Sequence, residues 1–333
     1  DEFAVLLNAL DDRVEAEEIA RRVLNTLADP IQIAGRAMGT SASIGIAYGR
    51  PGDTADNLLR NADLAMYVAK NEGRNRFRVY QPGMHLEALR RLEVESGLRG
   101  AALRGELEVH YQPIVHTATG SLQAFEALVR WDHPQHGLLA PAEFIPEAEQ
   151  SDLIHEIGRH VLSVACRQLA EWRGSGATRS MPSVTVNVSP RQLHDDPGLV
   201  GFVSDVLADC GLEPSALVLE ITETALTDDP DSAARTLEEL TGLGVHLALD
   251  DFGTGNSSLS HLRRFPIESL KIDREFITEV ESKRDWSLVV AMCQLAHSLG
   301  MSVVAEGVES EAQRAVLVDI GCDLAQGYLF ARP

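Results

Sequence analysis

The sequence predicts an α/β protein: a (β/α)8-type barrel preceded by a smaller α+β unit. Three observations predict it. Six short apolar runs after residue 183 alternate with amphipathic stretches, the rhythm of repeated βα units and a mostly parallel sheet. Two longer runs before them, LEVHYQPIV and LQAFEALVRW, are joined only by HTATG. So short a connection makes an antiparallel hairpin, since a parallel pair needs a crossover of about a dozen residues or more. Finally, a polar residue falls late in one run after another, and in such a barrel the strand ends converge on one mouth.

In order, DEFAVLL reads as a strand, VEAEEIARRVLNTL as a helix and SASIGIAYG as a strand. DNLLRNADLAMYVAKNEG reads as a helix ending at Gly73, and RFRVY as a last strand, each by its period of two or 3.6. Gln81, Pro82 and Gly83 break this α+β unit. A charged helical connector runs from Leu86 to Leu103. After the hairpin come VTVNVS, ALVLEIT, VHLALDD, SLKID, SVVAEGV and DLAQGYLF, spaced by helical stretches such as SAARTLEELTGLG and AQRAVLVDIG.

A net charge of -21 argues against a nucleic-acid duplex as partner, which needs a basic face, and against anionic lipid. It leaves room for a nucleotide held through metal ions. The cysteines, Cys166, Cys210, Cys293 and Cys322, form no CxxC pair, which suits free thiols in a reducing compartment. Leu288, Ala291, Met292, Leu295 and Leu299 recur at helical spacing between polar residues, an amphipathic helix and not a membrane span. No signal peptide is visible. This segment is expected to be cytoplasmic. It starts without methionine inside an apolar run, as a piece of something longer would, leaving room for an upstream sensor domain and membrane anchor.

Asp250-Asp251 carry the most information. They close an apolar run and open a glycine turn at Gly253 and Gly255. Buried unpaired charge is so costly that such groups are normally paired, neutralised or metal-bound. Glu126, Asn187, Glu220, Asp250, Lys271, Glu306 and Gln326 each fall late in a different expected strand. Any one of them reads more readily as a rim charge or salt bridge; seven at corresponding places do not. Four carboxylates, two amides and a lysine make an oxygen-rich set that suits Mg2+ or Mn2+ over zinc. With Asp251 added there are ligands for two ions, the arrangement of phosphodiester cleavage, with ions roughly 3.5–4 Å apart. Lys271 could orient the attacking water or neutralise the phosphorus centre, and the fork of Arg130 could take a phosphate oxygen. His133 and His136 have loose ligand spacing, but Pro134 and Gly137 mark a turn, so a solvated loop is expected. Asn187-Val188-Ser189 and Asn256-Ser257-Ser258 fit the glycosylation pattern only formally, and GTGNSS is a weak phosphate loop.

These motifs resemble a known family. YQPI (111–114), EALVRW (126–131), NVS (187–189), EITE (220–223), DDFGTG (250–255), KIDR (271–274), AEGVE (305–309) and QGYLF (326–330) stand in order, and residues 95–333 are similar to an EAL domain, the bacterial cyclic di-GMP phosphodiesterase module. The resemblance implies a modified TIM-type barrel whose first strand is antiparallel. It implies one ion on Glu126, Asn187, Glu220 and Asp250, and a second sharing Asp250 with Asp251 and Glu306. Lys271 would contact the attacking water, with Glu126, Asp250 and Asp251 in the catalytic set. Gln112, Leu128, Arg130 and Gln326 would line the substrate site, and Glu223, Glu309 and Asp273 would support it. Asn256 stands where many members have tyrosine. Residues 1–80 resemble the C-terminal half of a GGDEF (diguanylate cyclase) domain: DEF, ASIGIA, ADLAMYVAK and GRNR fit its later elements. Asp1 and Glu2 would be motif acids, and Lys70 and Arg74 phosphate-binding positions. Residues 81–94 would be a linker helix.

The expected function is hydrolysis of cyclic di-GMP to linear pGpG by two Mg2+ or Mn2+ ions in second-messenger signalling. Homodimerisation is expected from the resemblance alone. One alternative is a non-catalytic cyclic di-GMP receptor, which loss of a metal carboxylate or of the lysine would favour. A less favoured one is another divalent-metal barrel enzyme, such as an enolising lyase with Lys271 as base.

Overall fold

The structure is a computed structural model and describes all residues except 1–2, 9–11, 29–30, 34–35, 39, 72–74, 176–181, 228, 254–263 and 279–285. It divides into two compact units, residues 1–96 and 97–333.

In the first unit the helix Arg13–Ala28 precedes a hairpin of β1 (Ile31–Ile33) and β2 (Arg36–Met38). β3 (Ile44–Ile46) pairs in parallel with β4 (Phe77–Val79), and the helix Ala55–Asn71 packs on both. Thr54 Oγ1 accepts from Asn57 N–H at 3.2 Å, which satisfies a donor that the first helical turn leaves open. Ala65 and Val68 of that helix meet Met84 in a small apolar cluster. Residues 3–8 form no strand, contrary to the reading of DEFAVLL. Phe3, Val5 and Leu6 are 91%, 79% and 80% exposed: no described strand offers them a ladder, and apolar alternation without a partner does not hold a strand. The β1–β2 hairpin went unpredicted because three-residue strands are too short to show a period. Lys70 is half-buried near the end of its helix, while Asp1, Glu2 and Arg74 lie outside the described residues.

The second unit is a closed barrel. Its strands are β5 (Leu107–His116), β6 (Leu122–His133), β8 (Ser183–Val188), β9 (Leu217–Thr222), β10 (His246–Phe252), β11 (Ser269–Ile272), β12 (Ser302–Ala305) and β13 (Leu324–Gln326), with β7 (Gly137–Leu139) hairpinned onto β6. β5 runs antiparallel to both β6 and β13 and closes the ring; from β6 through β13 the pairs are parallel. This is the modified barrel with an antiparallel first strand that the hairpin and the resemblance predict.

Alternation along each strand sorts its side chains. Leu217, Leu219 and Ile221 of β9 are almost wholly buried, each worth about 1.5–3 kcal/mol of transfer energy, while Glu220 between them faces the other way. On the outer face of the β5–β6 hairpin, Tyr111 and Phe125 bring their rings to 4.8 and 4.6 Å from Trp172, on the helix Leu153–Ser175. Their neighbours Gln112 and Glu126, directly paired, are thereby turned inward.

The DHPQHG turn joins β6 to β7, with Gly137 in the left-handed region at φ 69°. His136 and the turn around it are exposed, as the solvated-loop reading expects, but His133 is not. It is buried against the Trp131 ring at 4.5 Å, and its Nδ1 accepts from the N–H groups of Gln135 and His136 at 3.1 and 3.2 Å. The ring serves the turn as a hydrogen-bond acceptor.

Candidate active site

The carboxylates at the strand ends converge on one side chain. Lys271 of β11 is 1% exposed. Its Nζ lies 2.6 Å from Glu306 Oε1, 2.8 Å from Glu220 Oε2, 3.4 Å from Asp250 Oδ1 and 3.6 Å from Glu126 Oε2. Glu126 is held from its other side. Asn187 Nδ2 donates to its Oε1 at 2.9 Å and Gln326 Nε2 to its Oε2 at 2.6 Å. Gln326 Nε2 also reaches Gln112 Oε1 at 2.9 Å, and Gln112 Nε2 donates to the Ala331 carbonyl at 3.0 Å.

Register explains the convergence. Asn187 pairs with Glu220, Asp250 with Thr222 and Gln326 with Ile114. Glu306 follows β12 directly, and its N–H extends the β11 ladder to Ile272 O at 3.1 Å. Glu126 departs from the expected pattern: it lies in the first half of β6, which runs on to His133. The ladder to β8 stops at Ala127, so Glu126 is late in the barrel though early in its strand. Leu128 and Arg130 share its face beyond that ladder, both half-buried, with Arg130 Nη1 donating to Val129 O at 2.8 Å.

Asp250 and Asp251 are separated by more than strand alternation. The β10–β11 register shifts between Leu249 and Phe252, and Asp251 takes φ 56°, left-handed and unfavourable for a residue with a Cβ. Its N–H donates to Asp250 Oδ1 at 3.0 Å. After burial and the Asp250 charge, the charge of Asp273 raises the Asp251 carboxyl further, and Asp273 Oδ1 accepts from Glu275 N–H at 2.7 Å. Glu223 is buried with no hydrogen-bond partner for Oε2 among the described residues. Glu309 lies on an exposed turn, its N–H donating to Gln313 Oε1 at 2.9 Å. Asn256 and Gly255 lie outside the described residues.

The electrostatics are those of too much negative charge in one place. Burial pushes the Glu220 carboxyl well above its usual range, and the charge of Glu126 adds to this. Burial also lifts Glu306 to about 7 against the pull of Lys271. Burial, then the Asp250 charge, raises Asp251. For Glu126, burial is outweighed by Lys271 and the Gln326 and Asn187 amides, which hold it below its usual range. Lys271 is held protonated: burial opposes its charge, but the surrounding carboxylates dominate.

As they stand, no three His, Cys, Asp or Glu side chains among the described residues are disposed to hold a metal ion; the carboxylates surround the Lys271 ammonium. The donor chemistry nevertheless fits hard cations. Every candidate ligand offers oxygen, and four carboxylates face one ammonium. Asn187 spends its Nδ2 on Glu126, which leaves its Oδ1 for a ligand. Gln326 Oε1 is buried without a partner among the described residues, a costly state for an acceptor.

Nothing in the residue pattern marks the backbone contact behind Gln326. A Cβ on Gly327 would stand 2.1 Å from Val308 O and 2.3 Å from Val308 N, where Val308 N–H donates to Gln326 O and Leu329 N–H to Val308 O. Gly327→Ala is expected to cost at least about 3 kcal/mol, read as a lowered melting temperature, because the obstacle is backbone and cannot yield.

A closed barrel with an oxygen-rich acidic cluster at its strand ends defines a class of proteins built to hold cations and polar ligands at that mouth. Within that class, the chain belongs to the EAL domain family, whose model matches residues 95–333. The diguanylate cyclase GGDEF domain model matches residues 1–76. Over its whole length the chain is 42% identical to the bifunctional diguanylate cyclase/cyclic di-GMP phosphodiesterase MucR of Pseudomonas aeruginosa, of which it covers 48%. It is 39% identical to the cyclic di-GMP phosphodiesterase PdeR of Escherichia coli, of which it covers 50%. The chain thus spans about half the length of the curated relatives it matches. The solved PaMucR phosphodiesterase in complex with c-di-GMP superposes with a TM-score of 0.69 at 44% identity, covering 72% of this chain and 97% of that one. No described helix is long and apolar enough to cross a membrane.

Proposed function

We propose that this chain hydrolyses cyclic di-GMP to linear pGpG, using two Mg2+ or Mn2+ ions at the barrel mouth. The observation that carries the reading is the gathering of Glu126, Glu220, Asp250 and Glu306 within 3.6 Å of one lysine, with Asp251 on a bulge beside them. Similarity to relatives and solved structures named for cyclic di-GMP supports the substrate. Glu126, Asn187, Glu220 and Asp250 would hold one ion; Asp250, Asp251 and Glu306 the other. Bound there, the ions would supply Lewis acidity and a nucleophile at neutral pH.

The chain's own groups do the rest. Lys271 orients the attacking water and offsets charge at phosphorus. The amides of Asn187 and Gln326 fix Glu126. Leu128 and Arg130, on the part of β6 that overhangs the barrel, receive the substrate, with Gln112 and Gln326 beside them. Glu223, Glu309 and Asp273 support the metal shell and the loop after Asp251. We read residues 1–80 as a partial GGDEF domain, 81–94 as a linker helix and 95–333 as the phosphodiesterase. An upstream sensor, a membrane anchor and a homodimer belong to the same proposal for the longer protein.

Incubating the chain with cyclic di-GMP and Mg2+ or Mn2+, with chromatography of the products, tests it. Linear pGpG is the expected product, and EDTA should abolish its formation. Tight binding without product under either ion would replace this reading with that of a receptor.

A further inference from the structure

We infer that Lys271 is the site's resident counter-ion: its ammonium competes with divalent ions for the same carboxylate oxygens and keeps those carboxylates gathered when no ion is bound. The inference rests on the two-ion reading and gives Lys271 a second role beside orienting water.

The geometry is that of a cation with its ligands. The ammonium donates a hydrogen bond to Glu220 Oε2 at 2.8 Å, and Glu306 Oε1 and Asp250 Oδ1 stand as ion-pair partners at 2.6 and 3.4 Å. The fourth carboxylate, Glu126, is the farthest at 3.6 Å and takes its close hydrogen bonds from Asn187 and Gln326 instead. Lys271 thereby ties β9, β10, β11 and the end of β12 together from inside the barrel. Its side chain and that of Glu220 are each 1% exposed, so bulk solvent screens the pair little.

Divalent ions need the same oxygens on different terms. Mg2+ draws oxygens to about 2.0–2.1 Å in near-octahedral geometry, closer than any of these stands to Nζ. A carboxylate that takes an ion can keep the ammonium on its other lone pairs only by setting two cations side by side, so loading is expected to weaken the Lys271 contacts. The exchange is favourable because one positive charge leaves the cluster in excess negative charge, which a divalent ion offsets better. Without the ammonium, three or four carboxylates would face one another in a buried space, a strongly unfavourable arrangement. Lys271 is thus expected to stabilise the barrel before loading and to weaken the affinity of the ions that replace it.

Lys271→Met in the full chain separates this role from the water-orienting one. Melting in EDTA should fall by at least about 4 °C relative to wild type, and saturating Mn2+ should close most of that gap. Mn2+ binding, followed by electron paramagnetic resonance of the free ion, should be about 5-fold or more tighter in the variant. Equal melting in EDTA, or weaker Mn2+ binding in K271M, overturns the inference while leaving the two-ion reading intact. A wild-type chain that binds no Mn2+ overturns both. Should K271M fail to fold with and without Mn2+, 15N NMR of wild-type lysine ammonium groups decides. A slowly exchanging Lys271 signal in EDTA that shifts or vanishes with Mg2+ is expected, and one unmoved by saturating Mg2+ overturns the inference.

Discussion

On the proposed two-ion reading, Glu126→Ala is expected to abolish turnover of cyclic di-GMP, a loss of at least about 10³-fold, because it removes a proposed ion ligand and with it several kcal/mol of transition-state stabilisation. The barrel should stay folded. Glu126 is one of four carboxylates around Lys271 and the farthest from it, so its removal relieves negative crowding even as it strands the Asn187 and Gln326 amides. Binding of cyclic di-GMP should weaken far less than turnover, since Arg130 and Leu128 lie further along β6. The check is product formation by chromatography, beside circular dichroism and calorimetric binding of the nucleotide. Near-normal turnover in the variant would sink the assignment of Glu126 as a ligand.

The barrel was legible because its strands carry their own punctuation. Val184, Leu219, Leu249 and Val303 sit in runs too short for helices, and each run ends in a polar residue that a buried parallel strand has no reason to hold. The antiparallel pairing of the first two strands followed from the length of HTATG, in agreement with the family resemblance. What could not be read is anything set by closure. That Lys271 stands between Glu126, Glu220, Asp250 and Glu306 depends on stagger around the ring, because the five come from strands far apart in sequence. That Glu126 is late in the barrel depends on where β8 stops pairing, not on its own strand, which continues seven residues further. His133 reads as a turn residue, and only the packing of Trp131 shows it buried. DEFAVLL shows the converse: a strand-like pattern has no force where no described partner strand receives it.

Asp251→Gly is expected to make the protein more stable and much less active. At φ 56° the aspartate sits where a Cβ crowds the following carbonyl, at a cost of roughly 1–2 kcal/mol that glycine does not bear. Its carboxyl is also half-buried, and that burial, then the neighbouring Asp250 charge, raises its pKa, so its ionised form opposes folding at neutral pH. A raised carboxyl pKa means that the folded state gains stability as pH falls through it; deleting the group removes the penalty present above it. Glycine adds freedom to the unfolded chain, which offsets part of the gain, so the expected rise in melting temperature is about 2–4 °C. Activity should fall about 10²-fold or more through loss of a proposed ligand of the second ion. Asp251→Asn discriminates the two effects: asparagine keeps a Cβ and an oxygen and fares in the left-handed region much as aspartate does, so it should lose the charge penalty and leave the backbone term unchanged. Calorimetry beside product chromatography reads both. An Asp251→Gly variant that is less stable than wild type would show that the bulge is held by contacts of the Asp251 side chain more than it is strained. A backbone held in that conformation by an acidic residue, against its own stability, is what a ligand kept for chemistry predicts.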